Sequence, residues 1–332
     1  MKVLVTGVTG RIGHNLAAAL LSRGHEVRGL AMPNDPALAR VPAGTVLVTG
    51  NLRDWDAVVE AVTGVDVVYH LGAMMLWGSD DDNAILFEDN VRGTFNVLNA
   101  AALRCPGIKR VIYASSDEVY PSISPRYLPI DENHPTLPTS FYGAGKLMGE
   151  NMGFYYRRAY GLPFCAARFA LTTEPVEAVR GTGWLGRFLF LDPMIGTLSY
   201  RRPPEVAETL KRLRTGENTL VLPREEDGRP YMFHYCDVRD LVEGLLLMME
   251  KEQAVGEAFN LSGPAPFSYD QAVPYLSQKT GLPFVEVRLP GPPIRIEHST
   301  AKARSLLGYV PQYTFFRTVD DGIAMSKAAP AG

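Results

Sequence analysis

Cysteine is scarce in this 332-residue chain: Cys105, Cys165 and Cys236 are its three, scattered and odd in number. A disulfide framework is therefore not the organising device, and the reducing cytoplasm is the expected setting. No charge of one sign prevails, since 33 Lys and Arg stand against 36 Asp and Glu for a net charge of -3. With no basic stripe either, nucleic acid and anionic membranes are poor candidates for the partner. No apolar run approaches the length of a membrane span. Only Met1 and Lys2 precede the first apolar run, so no signal peptide is expected. The six histidines are dispersed at no metal-ligand spacing, and no metal is expected. Internal repeats and low-complexity segments are missing too. The length suffices for a large core and more than one lobe.

Glycine, by contrast, is plentiful, and its placement at the start is informative. Val3 to Val5 reads as a buried strand, and Ile12, Leu16 and Leu20 share one face of a following helix. Between them runs Thr6-Gly7-Val8-Thr9-Gly10-Arg11-Ile12-Gly13. Strand, glycine turn and helix in that order seat a pyrophosphate on a helix N-terminus, where bare backbone N–H groups and the helix dipole meet its charge. Gly7, Thr9, Gly10, Arg11, Ile12 and Gly13 are the candidate seat. Their G-x-x-G-x-x-G spacing differs from the common G-x-G-x-x-G fingerprint.

Val27 to Ala31 is a second strand. Its end, where a dinucleotide domain reads the adenosine ribose, carries neither acid nor arginine but Ala31-Met32-Pro33. Asp35 lies close enough to reach back, and Arg11 or Arg40 can attract a phosphate, so NAD and NADP both stay open, with NAD favoured. Val46 to Val48 and Val65 to Leu71 are further strands; Asn51 and Leu52 follow one, and Leu71, Gly72 and Ala73 end the other on side chains small enough for a cofactor to lie across. Met74, Met75, Leu76 and Trp77 either wall the active site or are core. Asn90 opens a long helix, and the strand from Arg110 to Ala114 delivers Ser115, Ser116, Asp117 and Glu118. The stretch 121–138, with five prolines, is loop, and a helix resumes at Phe141. Such alternation predicts an α/β fold with a doubly wound parallel sheet of the Rossmann kind and a smaller C-terminal substrate lobe. The expected division is a nucleotide-binding domain over 1–170, rejoined by 230–262, and a lobe from 171–229 and 263–327. The candidate residues fall at the carboxyl ends of strands, where such sheets bind ligands.

Tyr142 and Lys146, four apart at the start of a helix, share one face. A phenol with a pKa near ~10 is a poor base at neutral pH, and a neighbouring ammonium is expected to lower it. Tyr142 can then exchange a proton with an alcohol while hydride leaves its carbon, Lys146 holds the nicotinamide ribose, and Ser116 orients the same oxygen. A second copy of the spacing, Tyr275 and Lys279, has no serine-bearing strand end before it and is expected at the surface.

These features together resemble the extended short-chain dehydrogenases/reductases of the NAD-dependent epimerase/dehydratase group, over nearly the whole length. The resemblance implies NAD or NADP as cofactor, Ser116, Tyr142 and Lys146 as a catalytic triad with Asn90 in support, and Asn51 as an adenine contact. It also implies a homodimer through the Asn90 and Tyr142 helices. For Asn51 the other reading is a turn that caps the helix from Trp55 to Val62. Ser116-Asp117-Glu118-Val119-Tyr120 resembles the segment with which nucleotide-sugar 4,6-dehydratases protonate and deprotonate a keto sugar; alternatively both acids cap the following turn. The second half departs from the sugar-nucleotide members. Leu171 stands near where an asparagine binds the substrate diphosphate, Glu174 is expected to repel one, and Glu225, Glu226 and Asp227 precede Arg229. Arg180 to Pro204 reads as loop, with Trp184, Phe188, Phe190 and Tyr200 as candidate pocket walls, and Ser268 as the cap of a later helix. The expectation is hydride transfer at a secondary alcohol of a sugar-like substrate through a keto species. A 4,6-dehydratase or 4-epimerase that recycles NAD internally, and a non-catalytic dinucleotide sensor, are the alternatives.

Overall fold

The computed structural model describes residues 1–76, 82–121, 124–201 and 203–328; Trp77 and the side chain of Tyr200 lie outside the described set. The first half alternates β1 (Lys2–Thr6), α1 (Arg11–Ser22), β2 (Glu26–Ala31), β3 (Val46–Thr49), α2 (Trp55–Val62), β4 (Val67–His70) and α3 (Asp82–Leu86). A π-helical turn over Phe87–Arg92 leads into α4 (Gly93–Arg104), then β5 (Arg110–Ser116), α5 (Phe141–Tyr160) and β6 (Phe164–Phe169). Next come β7 (Leu171–Thr173), α6 (Pro175–Arg180), α7 (Gly183–Leu189), α8 (Leu191–Arg201), α9 (Pro204–Lys211), β8 (Leu220–Arg224) and β9 (Met232–Phe233). The chain closes with β10 (Tyr235–Asp237), α10 (Val238–Glu250), β11 (Ala258–Leu261), β12 (Phe267–Ser268), α11 (Tyr269–Thr280), β13 (Phe284–Arg288), α12 (Ala301–Leu307) and α13 (Phe315–Ala328).

Seven strands form one parallel sheet in the order β11-β6-β5-β4-β1-β2-β3. Its central strands are near-continuous apolar runs because both faces are covered. Leu16 and Leu20 of α1 and Leu241 and Leu245 of α10 bury one face. Val58 and Val62 of α2, Val97 and Leu98 of α4 and Tyr156 of α5 bury the other. The strand order reverses between β1 and β4, which opens a crevice at their carboxyl ends.

A separate core builds the smaller lobe, from Leu185, Leu189, Met194, Leu198, Leu220 and Leu276 among others. The stretch expected as loop, 180–204, is two helices, α7 and α8. Their buried residues do share a face, Leu191, Met194, Ile195 and Leu198 of α8 standing at i, i+3, i+4 and i+7, but both helices are short and carry Gly186, Pro193 and Gly196, which read as loop residues in the sequence. Ser268 precedes α11, but its hydroxyl bonds Asp270 and caps nothing. No helix among the described residues is long and apolar enough to cross a membrane.

Candidate active site

At the β1–α1 turn, Gly7 has φ +67° and a Cβ there would lie 2.8 Å from the Cα of Gly72 at the end of β4. A Cβ on Gly13 would lie 2.1 Å from the Gly7 carbonyl oxygen. The turn is closed by the Gly10 N–H donating to that same oxygen at 3.0 Å. Only glycine allows the turn, the β4 end and the first turn of α1 to meet this closely. Thr6 locks the junction from behind: its hydroxyl accepts the Gly72 N–H at 3.0 Å and meets His70 Nδ1 at 2.9 Å. His70 Nε2 continues to Thr94 at 2.9 Å, and burial pushes the imidazole down to about 3, so it is neutral.

The crevice in front is lined by Gly7, Thr9, Gly10, Asn51, Leu52, Leu71, Gly72 and Ala73, together with Asp35. Asp35 does reach back, accepting the Thr9 hydroxyl at 2.7 Å and the Ala37 N–H at 2.9 Å. Asn51 accepts the Arg53 N–H at 2.9 Å, and the cap of α2 is Asp54, which accepts from Asp56 and Ala57. This bare-backbone cradle, with an acid where a ribose hydroxyl would sit, fits a dinucleotide with an unphosphorylated adenosine ribose.

Arg11 and Ile12 turn toward a second cavity. The Arg11 guanidinium forks onto Glu177 of α6, Nε to Oε2 at 2.5 Å and Nη2 to Oε1 at 2.8 Å, so it is not held out toward the cradle as a phosphate ligand. Glu174 also faces α1. Its carboxylate takes bonds from Asn15 and Arg40, each at 2.8 Å, and pairs with His14 Nε2 at 3.0 Å. Burial opposes its ionisation, but the bonds from His14 and Asn15 and the Arg40 charge prevail and hold it near about 2. The expectation that Glu174 repels a substrate is thus overturned: its charge is engaged against α1, outside the cavity lining.

The second cavity abuts the first across Gly10–Arg11 and Met74–Met75. Ser116, Asp117, Glu118 and Tyr142 lie on its wall. Ser140 caps α5 by accepting the Gly143 N–H at 3.0 Å and donates to Glu118 Oε2 at 2.5 Å, which fixes Tyr142 in the first helical turn. Ser116 accepts the Glu118 N–H at 3.1 Å and donates to Asp117 Oδ1 at 3.2 Å. Lys146 lies behind, its Nζ donating to the Ala114 carbonyl at 2.7 Å and 5.6 Å from the Tyr142 ring centroid. Asn90 is not on this wall. Its amide clasps the backbone of Met74, accepting from N and donating to O at 2.7 Å each, and so holds the segment between the two cavities.

The electrostatics reverse one expectation. Burial above all, then the Glu118 and Asp117 carboxylates, holds the Tyr142 phenol well above its ordinary value. Burial also pushes the Lys146 ammonium down to about 7, against the pull of Glu150. Desolvation is the first cause of both shifts, and the Nζ proton goes to a backbone carbonyl.

Several participants escaped the sequence. Glu150, one turn beyond Lys146, accepts from Ser115 at 2.5 Å and takes a two-pronged bond from Arg168 at 2.9 and 2.7 Å, tying α5 to β5 and β6. Its i+4 spacing from Lys146 was the available signal. Glu177 and His298 had none, because they arrive from distant segments. His298 Nε2 lies 3.6 Å from Asp117, and burial with His234 nearby pushes the ring down to about 3. Leu171, Trp184 and Phe188 line the cavity with Met75, whereas Phe190 is core. Tyr275 and Lys279 both bind Asp320 on the surface, at 2.8 and 2.5 Å. Arg229 pairs with Glu225 and Asp227, at 2.9 and 2.7 Å.

Residues 3–175 match the family described as the NAD dependent epimerase/dehydratase family. A UDP-glucose 4-epimerase of Corynebacterium glutamicum is 28% identical over 341 residues, covering 99% of this chain and 96% of that one. A 2-alkyl-3-oxoalkanoate reductase of Stenotrophomonas maltophilia is 27% identical, with all of both chains covered. Among solved structures, a short-chain dehydrogenase/reductase superfamily protein of Agrobacterium tumefaciens with bound NAD superposes with a TM-score of 0.89 at 34% identity, covering 99% of this chain and 98% of that one.

Proposed function

Since this chain belongs to the NAD dependent epimerase/dehydratase family, we propose that it interconverts a secondary alcohol and a ketone by hydride transfer with NAD. The observation that carries the proposal is the meeting of two cavities, a glycine cradle and a wall bearing Ser116 and Tyr142, at one end of the sheet. When bound, NAD supplies the hydride donor or acceptor. Gly7, Gly10 and Gly13 cradle its phosphates and Asp35 takes a ribose hydroxyl. The Asp35 carboxylate would repel a 2′-phosphate, which sets NAD above NADP. Ser116 Oγ orients the substrate oxygen. Tyr142 Oη gives its proton to a ketone oxygen or accepts one from an alcohol. Buried beside two carboxylates, the phenol is held above its ordinary value and so carries the proton that a ketone oxygen would take up. The reductase and the epimerase among the relatives share this half-reaction: an epimerase must make and remake a carbinol, and a reductase makes one.

Asp117 and Glu118 on the same wall favour a second reading, in which NAD is recycled within each turnover of epimerisation or elimination. NADH absorbance separates the two: a reductase consumes it stoichiometrically, and an internal cycle leaves it constant while product forms. Tyr142→Phe should remove turnover, by about a hundredfold or more, and leave NAD binding intact. Undiminished turnover in that variant would dismiss Tyr142 as the proton carrier. Loss of nothing but a regulatory response would favour the sensor reading.

A further inference from the structure

Resting on the hydride-transfer reading, we infer that the substrate is a ketone or secondary alcohol carried on an apolar body, and not a sugar or nucleotide sugar. Among the described residues lining the substrate cavity, Ser115, Ser116, Asp117 and Glu118 come together from the mouth of β5. Beyond Ser116, Asp117 and Glu118 the wall is Leu171, Trp184, Phe188, Leu198, Phe233 and Ile296, drawn from five separate segments of the smaller lobe. Two threonines interrupt it, but Thr172 donates its hydroxyl proton to the Ala170 carbonyl at 2.9 Å and Thr197 to the Pro193 carbonyl at 3.0 Å. Each spends its one proton on the backbone and offers the cavity an acceptor and no donor.

A diphosphate needs cations. Among the described residues of this wall the one cation is Arg11, and both arms of its fork are on Glu177. Two carboxylates, Asp117 and Glu118, share the cavity. A diphosphate placed here would lose its water, meet net negative charge and find no unengaged guanidinium. A free sugar fares little better, because most of its hydroxyls away from the reacting carbon would face aromatic and aliphatic carbon, with the Thr172 and Thr197 oxygens as scattered acceptors. An alkyl or ring body loses nothing on leaving water, and each methylene seated on such a wall should raise kcat/KM about fourfold.

The test uses the full chain with NADH and straight-chain methyl ketones from butanone through hexanone to octanone. In parallel, NAD is offered with glucose and with UDP-glucose, products being analysed for epimers. The expected result is a climb in kcat/KM of more than about a hundredfold from butanone to octanone, with both sugars below the shortest active ketone. Millimolar UDP should leave the melting temperature unmoved while NAD raises it. Trp184→Ala should flatten the chain-length dependence, and Phe188→Leu should do so more mildly if the larger truncation does not fold. A flat series, or UDP-glucose turned over better than octanone, overturns the apolar assignment and leaves the hydride-transfer reading standing. NAD binding with no turnover of any ketone, alcohol or sugar overturns that reading, and this inference with it.

Discussion

Acid should weaken this protein well before its carboxylates protonate, through three buried histidines. His70, His234 and His298 are 1%, 3% and 5% exposed. Burial lowers His70 and His298 to about 3 and His234 to about 4. His234 is tied to one neutral form: Nδ1 accepts the His298 N–H at 3.0 Å, which leaves Nε2 to donate to the Gly263 carbonyl at 3.0 Å. A proton added at Nδ1 would point at a donor. All three folded pKa values are depressed, so the unfolded chain binds more protons below the ordinary histidine value of 6.5. Stability present above that value is lost as pH falls toward about 3. At about pH 5 each histidine costs about 2 kcal/mol relative to neutral pH, or about 6 kcal/mol together. That should lower the melting temperature by up to about 9 °C. The raised carboxyls of Glu132, half-buried, and Asp240, buried, act in the opposite sense and trim the effect. The decisive variant is His298→Phe, which keeps a ring where both imidazole nitrogens lack a hydrogen bond. Urea midpoints at neutral and acid pH should show about 2 kcal/mol less pH sensitivity in the variant. An unchanged pH dependence would refute the claim that His298 folds as a neutral ring.

Three other outcomes are open to measurement. The phenol of Tyr142 is raised by burial and by nearby carboxylates, so ketone reduction should hold its rate at neutral pH and fall only when the phenol ionises, whereas alcohol oxidation should climb with pH; opposite profiles for the two directions in steady-state kinetics are the check. Asp35→Ala should narrow the preference for NAD over NADP by about tenfold in kcat/KM, because it removes the charge that faces a 2′-phosphate. Phe95 and Leu103 of α4 and Met148 and Tyr155 of α5 are exposed apolar side chains on two packed helices, a patch suited to a second copy. Light scattering should find a dimer that Met148→Glu weakens to monomer.

The sheet was legible because its strands are apolar runs separated by helices with clear faces, as in Val3–Val5 with Leu16 and Leu20. The glycine turn was legible for a related reason: Gly7 and Gly13 are demanded by close backbone approach, a local requirement that leaves a local trace. The lobe was harder. Leu185, Leu189 and Leu198 lie in short helices whose glycines and Pro193 look like loop residues, so the period they do keep is easily passed over. The partners of the candidate site were harder still. Nothing near Arg11 announces Glu177, which is 166 residues away, and nothing near Asp117 announces His298. The Tyr142 shift runs opposite to the expected sign for a similar reason: proximity of an amine is visible in spacing, whereas the depth of burial is not.

The Arg11–Glu177 fork joins two jobs in a single bond. Arg11 opens the helix that follows the glycine turn, and Glu177 belongs to the helix beside Trp184. A ligand that shifts the start of α1 would pull, through this bond, on the wall across from it. Binding should therefore proceed in sequence, the nucleotide first and the carbonyl compound second, with product leaving before the spent nucleotide.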